Sequence, residues 1–103
     1  MARVSLLSEG EIADGLAELS AWRREGDALV RSYRFGSFGE AMGFMVRAAL
    51  AAERLDHHPE WSNSFRDVHV RLTTHRAEDG SGLTRLDLAL AAAMDGAAGA
   101  RNG

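Results

Sequence analysis

The chain has no cysteine, so disulfide staples, thiolate nucleophiles and thiolate-bound zinc are excluded at the outset. Lysine is missing as well. Every basic side chain other than the histidines is arginine, and the arginines are scattered rather than clustered, which reads as codon bias. There is no basic excess either: 12 basic against 15 acidic residues leave a net charge of -3, which argues against a nucleic-acid surface. No stretch approaches the roughly 20 consecutive apolar residues of a membrane span. The opening Met-Ala-Arg-Val-Ser-Leu-Leu-Ser holds too short an apolar run for a secretory signal. The expectation is a reduced, cytoplasmic protein with neither membrane nor nucleic-acid partners.

What is present suits one globular domain. Hydrophobic residues make up 46% and charged residues 26% of 103 positions, enough for a single core over residues 1–103. A domain this small gains from self-association.

Local signals order the elements. Ser8-Glu9-Gly10-Glu11 has the form of a capping box, with Leu7 and Ile12 placed as its hydrophobic staple. It predicts a helix over roughly Glu9–Leu19. Trp22 opens a strand, Glu25-Gly26-Asp27 is a turn signal, and Ala28–Phe35 returns with Leu29, Arg31, Tyr33 and Phe35 on one face. Ser37-Phe38-Gly39-Glu40 is a second box. The spacing of Phe38, Met42, Met45, Ala49 and Ala52 predicts an apolar helical stripe ending near Leu55, since Pro59 disfavours helix at His58. Trp61–His75 reads as a second hairpin with an Arg66-Asp67 loop, pairing Trp61 with Leu72 and His58 with His75. Ala77–Gly82 reads as a loop. Thr84-Arg85-Leu86-Asp87 starts an alanine-rich helix to about Asp95, and residues 96–103 read as a frayed tail. The fold class is α+β in the order α-β-β-α-β-β-α: a four-stranded antiparallel sheet with three helices packed on one face.

Chemistry concentrates in Glu53-Arg54-Leu55-Asp56-His57-His58-Pro59-Glu60-Trp61, with Thr73-Thr74-His75 returning to the same corner. His69, mid-strand beside Arg71, reads as a solvated side chain. Imidazoles at a helix C-terminus can serve simply to complement the dipole. A metal reading needs convergent ligands, and adjacent histidines lack the H-x-x-x-H spacing that supplies them on a helix. Acid–base chemistry needs only imidazoles that can be both protonated and neutral near neutral pH. It suits addition or elimination of water better than acyl or phosphoryl transfer, because no nucleophile elbow or phosphate loop is present. A small metal-binding module remains the rival of this reading.

These residues, with Val68-His69-Val70, Thr74-His75, Gly82-Leu83-Thr84 and Asp87, resemble the pterin-4a-carbinolamine dehydratases over nearly the whole chain. The resemblance implies dehydration of 4a-hydroxytetrahydropterin to quinonoid dihydropterin without cofactor or metal, recycling the pterin of aromatic amino acid hydroxylases. It implies His57 and His75 as the acid–base pair and Glu53 as the carboxylate supporting the first of them. His58, Pro59, Trp61, Thr74, Arg76, Ala77 and Asp87 are the implied substrate contacts, with Asp87 also a candidate helix cap. It implies a homodimer or homotetramer too. Members of the family also act without catalysis, as a dimerisation cofactor or as assembly factors, and that is the alternative. Arg76-Ala77 departs from the small or acidic pair expected at that point.

Overall fold

Ser8 opens the first helix with both halves of its capping box in place. The Ser8 hydroxyl accepts from the Glu11 amide at 3.1 Å, and the Glu11 carboxylate accepts from the Ser8 amide at 2.8 Å. This helix, α1, spans Glu9–Ala17 and buries Ile12. The structure is a computed structural model that describes residues 4–102. Along the chain follow β1 (Arg23–Glu25), β2 (Ala28–Arg34), α2 (Phe38–Leu55), β3 (Glu60–Ser64), β4 (Asp67–Leu72), β5 (Thr74–Ala77), β6 (Gly80–Gly82) and α3 (Arg85–Asn102).

The first four strands form one antiparallel sheet in the order β1-β2-β4-β3. Leu29, Tyr33, Val68, Val70 and Leu72 point from it into a core shared with Phe44 of α2 and Leu90 and Met94 of α3. The helices therefore cover one face, as alternation in β2 and β4 predicts. The other face is polar, with Arg34 paired to Asp67 and Arg71 to Glu60 across neighbouring strands.

Four details differ from the sequence expectation. The buried face of α2 is Ala41, Phe44, Ala48, Ala51 and Ala52, about one residue round from the expected stripe; Phe38 is exposed and Met42 and Met45 are half-buried. Four of these five residues are alanines, so small side chains around Phe44, rather than the methionines, mark its inner side.

The β3–β4 loop is Phe65-Arg66, one residue earlier than expected. Trp61 consequently pairs with Val70 instead of Leu72, and the ladder ends at Glu60 and Arg71, short of His58 and His75. The Asn63 amide braces this turn, donating to the Phe65 and Asp67 carbonyls at 3.0 Å each.

Residues Thr74–Gly82 are a second small hairpin, β5–β6, rather than a loop. The N-terminal segment runs beside it: the Leu7 amide donates to Leu83 and the Glu78 amide to Val4. A side chain on Gly82, at φ 148°, would meet Leu6 at 3.2 Å. Glycine is what permits the approach. Finally, α3 continues past Asp95, burying Ala98, and breaks helical geometry only at Gly99.

Candidate active site

The site begins with the way α2 ends. Asp56 adopts the left-handed conformation (φ 51°, ψ 44°), its amide bonds to Glu53 O at 3.1 Å and the His57 amide to Ala52 O at 3.0 Å. That pair of bonds is a Schellman motif, built here on aspartate instead of glycine. The reversal turns His57 inward toward the start of α3, where Asp87 waits.

Asp87 is fully buried, and each of its oxygens is occupied. Oδ1 lies 2.7 Å from His57 Nε2, while Oδ2 accepts from the Thr84 amide at 2.9 Å and from the Thr74 hydroxyl at 2.8 Å. The Thr84 hydroxyl in turn accepts from the Leu86 amide at 3.2 Å and lies 2.8 Å from Thr74 Oγ1. Because Thr74 donates to Asp87, Thr84 must donate to Thr74. Asp87 is thus both the helix-capping carboxylate and the partner of His57, and two of its three neighbours, the Thr84 amide and the Thr74 hydroxyl, donate to it. A carboxylate only accepts, so the tautomer that fits has the proton on Nε2 of His57 and leaves Nδ1 for other chemistry.

His57, His58, Thr74, His75 and Arg76 line one cleft of about 600 Å³. His57 is the buried imidazole of the three, whereas the side chains of His58 and His75 are 60% and 71% exposed. Glu53 lies 3.0 Å from Nε2 of His58, not of His57, which corrects the expected pairing. Once Asp56 reverses the chain, the second histidine, not the first, comes back over the last turn of α2. His75 has Glu60 at 4.0 Å.

Four expected substrate contacts are not among the residues lining the cleft: Asp87, fully buried behind His57, and three that sit elsewhere. Trp61 packs against the core and borders a groove on the open face of the sheet. Its strand parity sends it inward, away from the histidines. Pro59 and Ala77 are half-buried and are not among the residues lining the cleft. Conversely, the cleft includes Val4, Arg54, Asp56, Thr73, Arg85 and Leu86, which sequence reasoning did not select. Among the described residues no three His, Asp or Glu side chains converge as metal ligands would.

A second carboxylate cluster lies on the core's far side. Asp95 Oδ1 accepts from Trp22 Nε1 (2.9 Å), Arg31 (2.6 Å) and the Tyr33 hydroxyl (2.5 Å). Burial first, and then the Asp95 hydrogen bond, push the Tyr33 hydroxyl far above its ordinary range. This cluster ties α3 to β2 and stands apart from the cleft.

Fold and cleft together define a small α+β domain with an imidazole-lined pocket in which one ring is held by a buried carboxylate. Residues 5–97 match the family described as pterin 4 alpha carbinolamine dehydratase. A relative from Chelativorans sp. (strain BNC1), provisionally named pterin-4-alpha-carbinolamine dehydratase, is 52% identical over 91 residues, covering 86% of this chain and 90% of the relative. One from Rhodopseudomonas palustris (strain HaA2) with the same provisional name is 50% identical over 98 residues, covering 93% and 94%. The crystal structure of a Brucella melitensis protein, described as a transcriptional coactivator/pterin dehydratase, matches with TM-score 0.85 and 43% identity, over 92% of this chain and 100% of that one. The chain belongs to the pterin-4-alpha-carbinolamine dehydratase family.

Proposed function

We propose that this cleft dehydrates a 4a-hydroxytetrahydropterin to the quinonoid dihydropterin, with His57 and His75 as the acid–base pair. The observation that carries the reading is His57 fixed by the buried Asp87 in a cleft that also holds His75. One imidazolium gives a proton to the 4a-hydroxyl as the C4a–O bond breaks, and a ring-nitrogen lone pair forms the new double bond to C4a. A neutral imidazole takes the ring N–H proton. The hydroxyl and the two protons balance as water released and a proton moved from one histidine to the other, and exchange with solvent resets both. Each proton transfer contributes about 10²–10⁴-fold. Thr74 and Asp87 act through His57 rather than on the substrate, and His58 and Arg76 supply contacts at the rim.

The product is a cofactor form that a reductase returns for reuse, which links the protein to a pterin-dependent aromatic hydroxylase in the cytoplasm. No helix among the described residues is long and apolar enough to cross a membrane. We also read the chain as a homodimer or homotetramer. Phe38, Val46 and Leu50 are exposed on α2, and β3 is an open sheet edge. The same apolar stripe, with the coactivator description of the Brucella protein, favours a second reading as an interaction module.

Stopped-flow decay of pterin carbinolamine tests the choice. The dehydratase reading expects the protein at micromolar concentration to accelerate the spontaneous decay, with activity surviving a chelator. Decay at the uncatalysed rate leaves the interaction module.

A further inference from the structure

Arginine pairing in this chain follows a pattern. Arg23, Arg24, Arg31, Arg34 and Arg71 each face a carboxylate. Arg47 donates to the Ala97 carbonyl, and Arg66 lies over the Phe65 ring. Among the described residues the arginines with no ion pair, hydrogen bond or ring contact are Arg54, Arg76 and Arg85, and all three line the histidine cleft. In a chain of net charge -3, these three uncompensated cations share one cleft.

Local structure does not account for them. Arg54, in the last turn of α2, suits the negative end of that helix dipole. Arg85 is the first residue of α3, where the dipole disfavours a cation. The Asp87 carboxylate in the same turn is spent on His57, Thr74 and Thr84. Arg76 stands on β5 immediately after His75 with no facing acid. The cleft's own carboxylate, Asp56, pairs with none of them. Three like charges around one hollow repel each other unless an anion joins them.

We propose that the cleft takes a pterin whose side chain is anionic, ending in a phosphate or a carboxylate, and that Arg54, Arg76 and Arg85 hold that end. The inference rests on the dehydratase reading and names its substrate class. A volume near 600 Å³ falls within the range of about 300–1,000 Å³ typical of small-molecule sites, and leaves room for a tail beyond the bicycle. Guanidinium groups are suited to both candidate ends, since each is planar and forks onto two oxygens.

The test is binding of three dihydropterins to the full chain: the 6-hydroxymethyl compound, its phosphate monoester, and a folate-type compound ending in glutamate carboxylates. One or both anionic ligands are expected to bind about tenfold tighter than the neutral one at low salt, and the advantage should shrink toward parity near about 1 M salt, where charges are screened within about 3 Å. The tighter anionic ligand identifies the tail. Arg76→Gln and Arg85→Gln should each lower the anionic-to-neutral affinity ratio about fivefold, with unchanged thermal unfolding as the control for folding. Equal affinity for neutral and anionic pterins, or a ratio untouched by both substitutions, overturns the inference. If the carbinolamine of the neutral pterin is still dehydrated in that case, the dehydratase reading stands without it. If no pterin binds or turns over, both fall.

Discussion

His57 Nε2 and Asp87 Oδ1 lie 2.7 Å apart although thirty residues separate them in the chain. The contact joins the end of α2 to the start of α3, and Asp87, which also accepts from Thr74 and Thr84, has no exposure to solvent.

Asp87→Asn therefore changes two quantities. The amide can still cap Thr84, but it can no longer accept from the imidazole, Thr74 and Thr84 together. Unfolding stability should fall by about 1–3 kcal/mol, the cost of leaving a buried group unpaired. Turnover should fall at least about tenfold, because the His57 tautomer is no longer fixed. Thermal unfolding and stopped-flow decay of carbinolamine measure the two effects.

Glu53→Gln provides the contrast. Its partner is the exposed His58, and an exposed pair contributes about 0–1 kcal/mol. Turnover within about threefold of wild type is expected. A loss as large as that of Asp87→Asn would return the supporting role to Glu53.

Tyr33 is the single tyrosine, so phenolate absorbance near 295 nm reports one residue. Burial and the Asp95 hydrogen bond raise its folded-state pKa. The sign follows: the stabilisation is fully present below the unfolded tyrosine pKa of about 10 and is lost as pH rises above it. In native protein the absorbance should stay flat through the ordinary tyrosine range and rise only with alkaline unfolding. In denaturant it should titrate near about 10. A native midpoint near 10 would contradict the Asp95 cluster.

Phe65 is an aromatic residue at φ 53° and 66% exposed. Relief of the left-handed strain contributes about 1–2 kcal/mol, and the added backbone freedom of glycine costs about 0.5–1. Phe65→Gly should accordingly raise stability by about 0.5–1 kcal/mol in urea unfolding.

Much of this architecture could be read from the residues because its signals are local. Ser8, Ser37 and Thr84 each cap a helix where their spacing implies, although only Ser8 closes the full box. The Glu40 carboxylate takes the Gly36 amide, and the Thr84 hydroxyl takes the Leu86 amide. The alternation in Ala28–Phe35 and Val68–Leu72 gives the sheet's two faces. What escaped depends on neighbours distant in sequence. The β5–β6 hairpin has no apolar alternation and is held by backbone contacts and by the segment around Leu6 and Leu7. The inward face of α2 was hidden because its buried residues are Phe44 and four alanines, not the methionines. The register of β3 followed a turn whose first loop residue is phenylalanine, a residue that gives no turn signal. In the cleft, the histidines stood out by type and spacing. Which carboxylate meets which ring hinged on a left-handed Asp56, and nothing in residues 53–58 announces that conformation.

The most direct test is stopped-flow decay of 4a-carbinolamine with His57→Ala, His75→Ala and the double variant beside wild type. Each single substitution should reduce turnover at least about tenfold, and the double variant should approach the uncatalysed rate. Wild-type turnover in both single variants would contradict the pairing of these two imidazoles across one cleft.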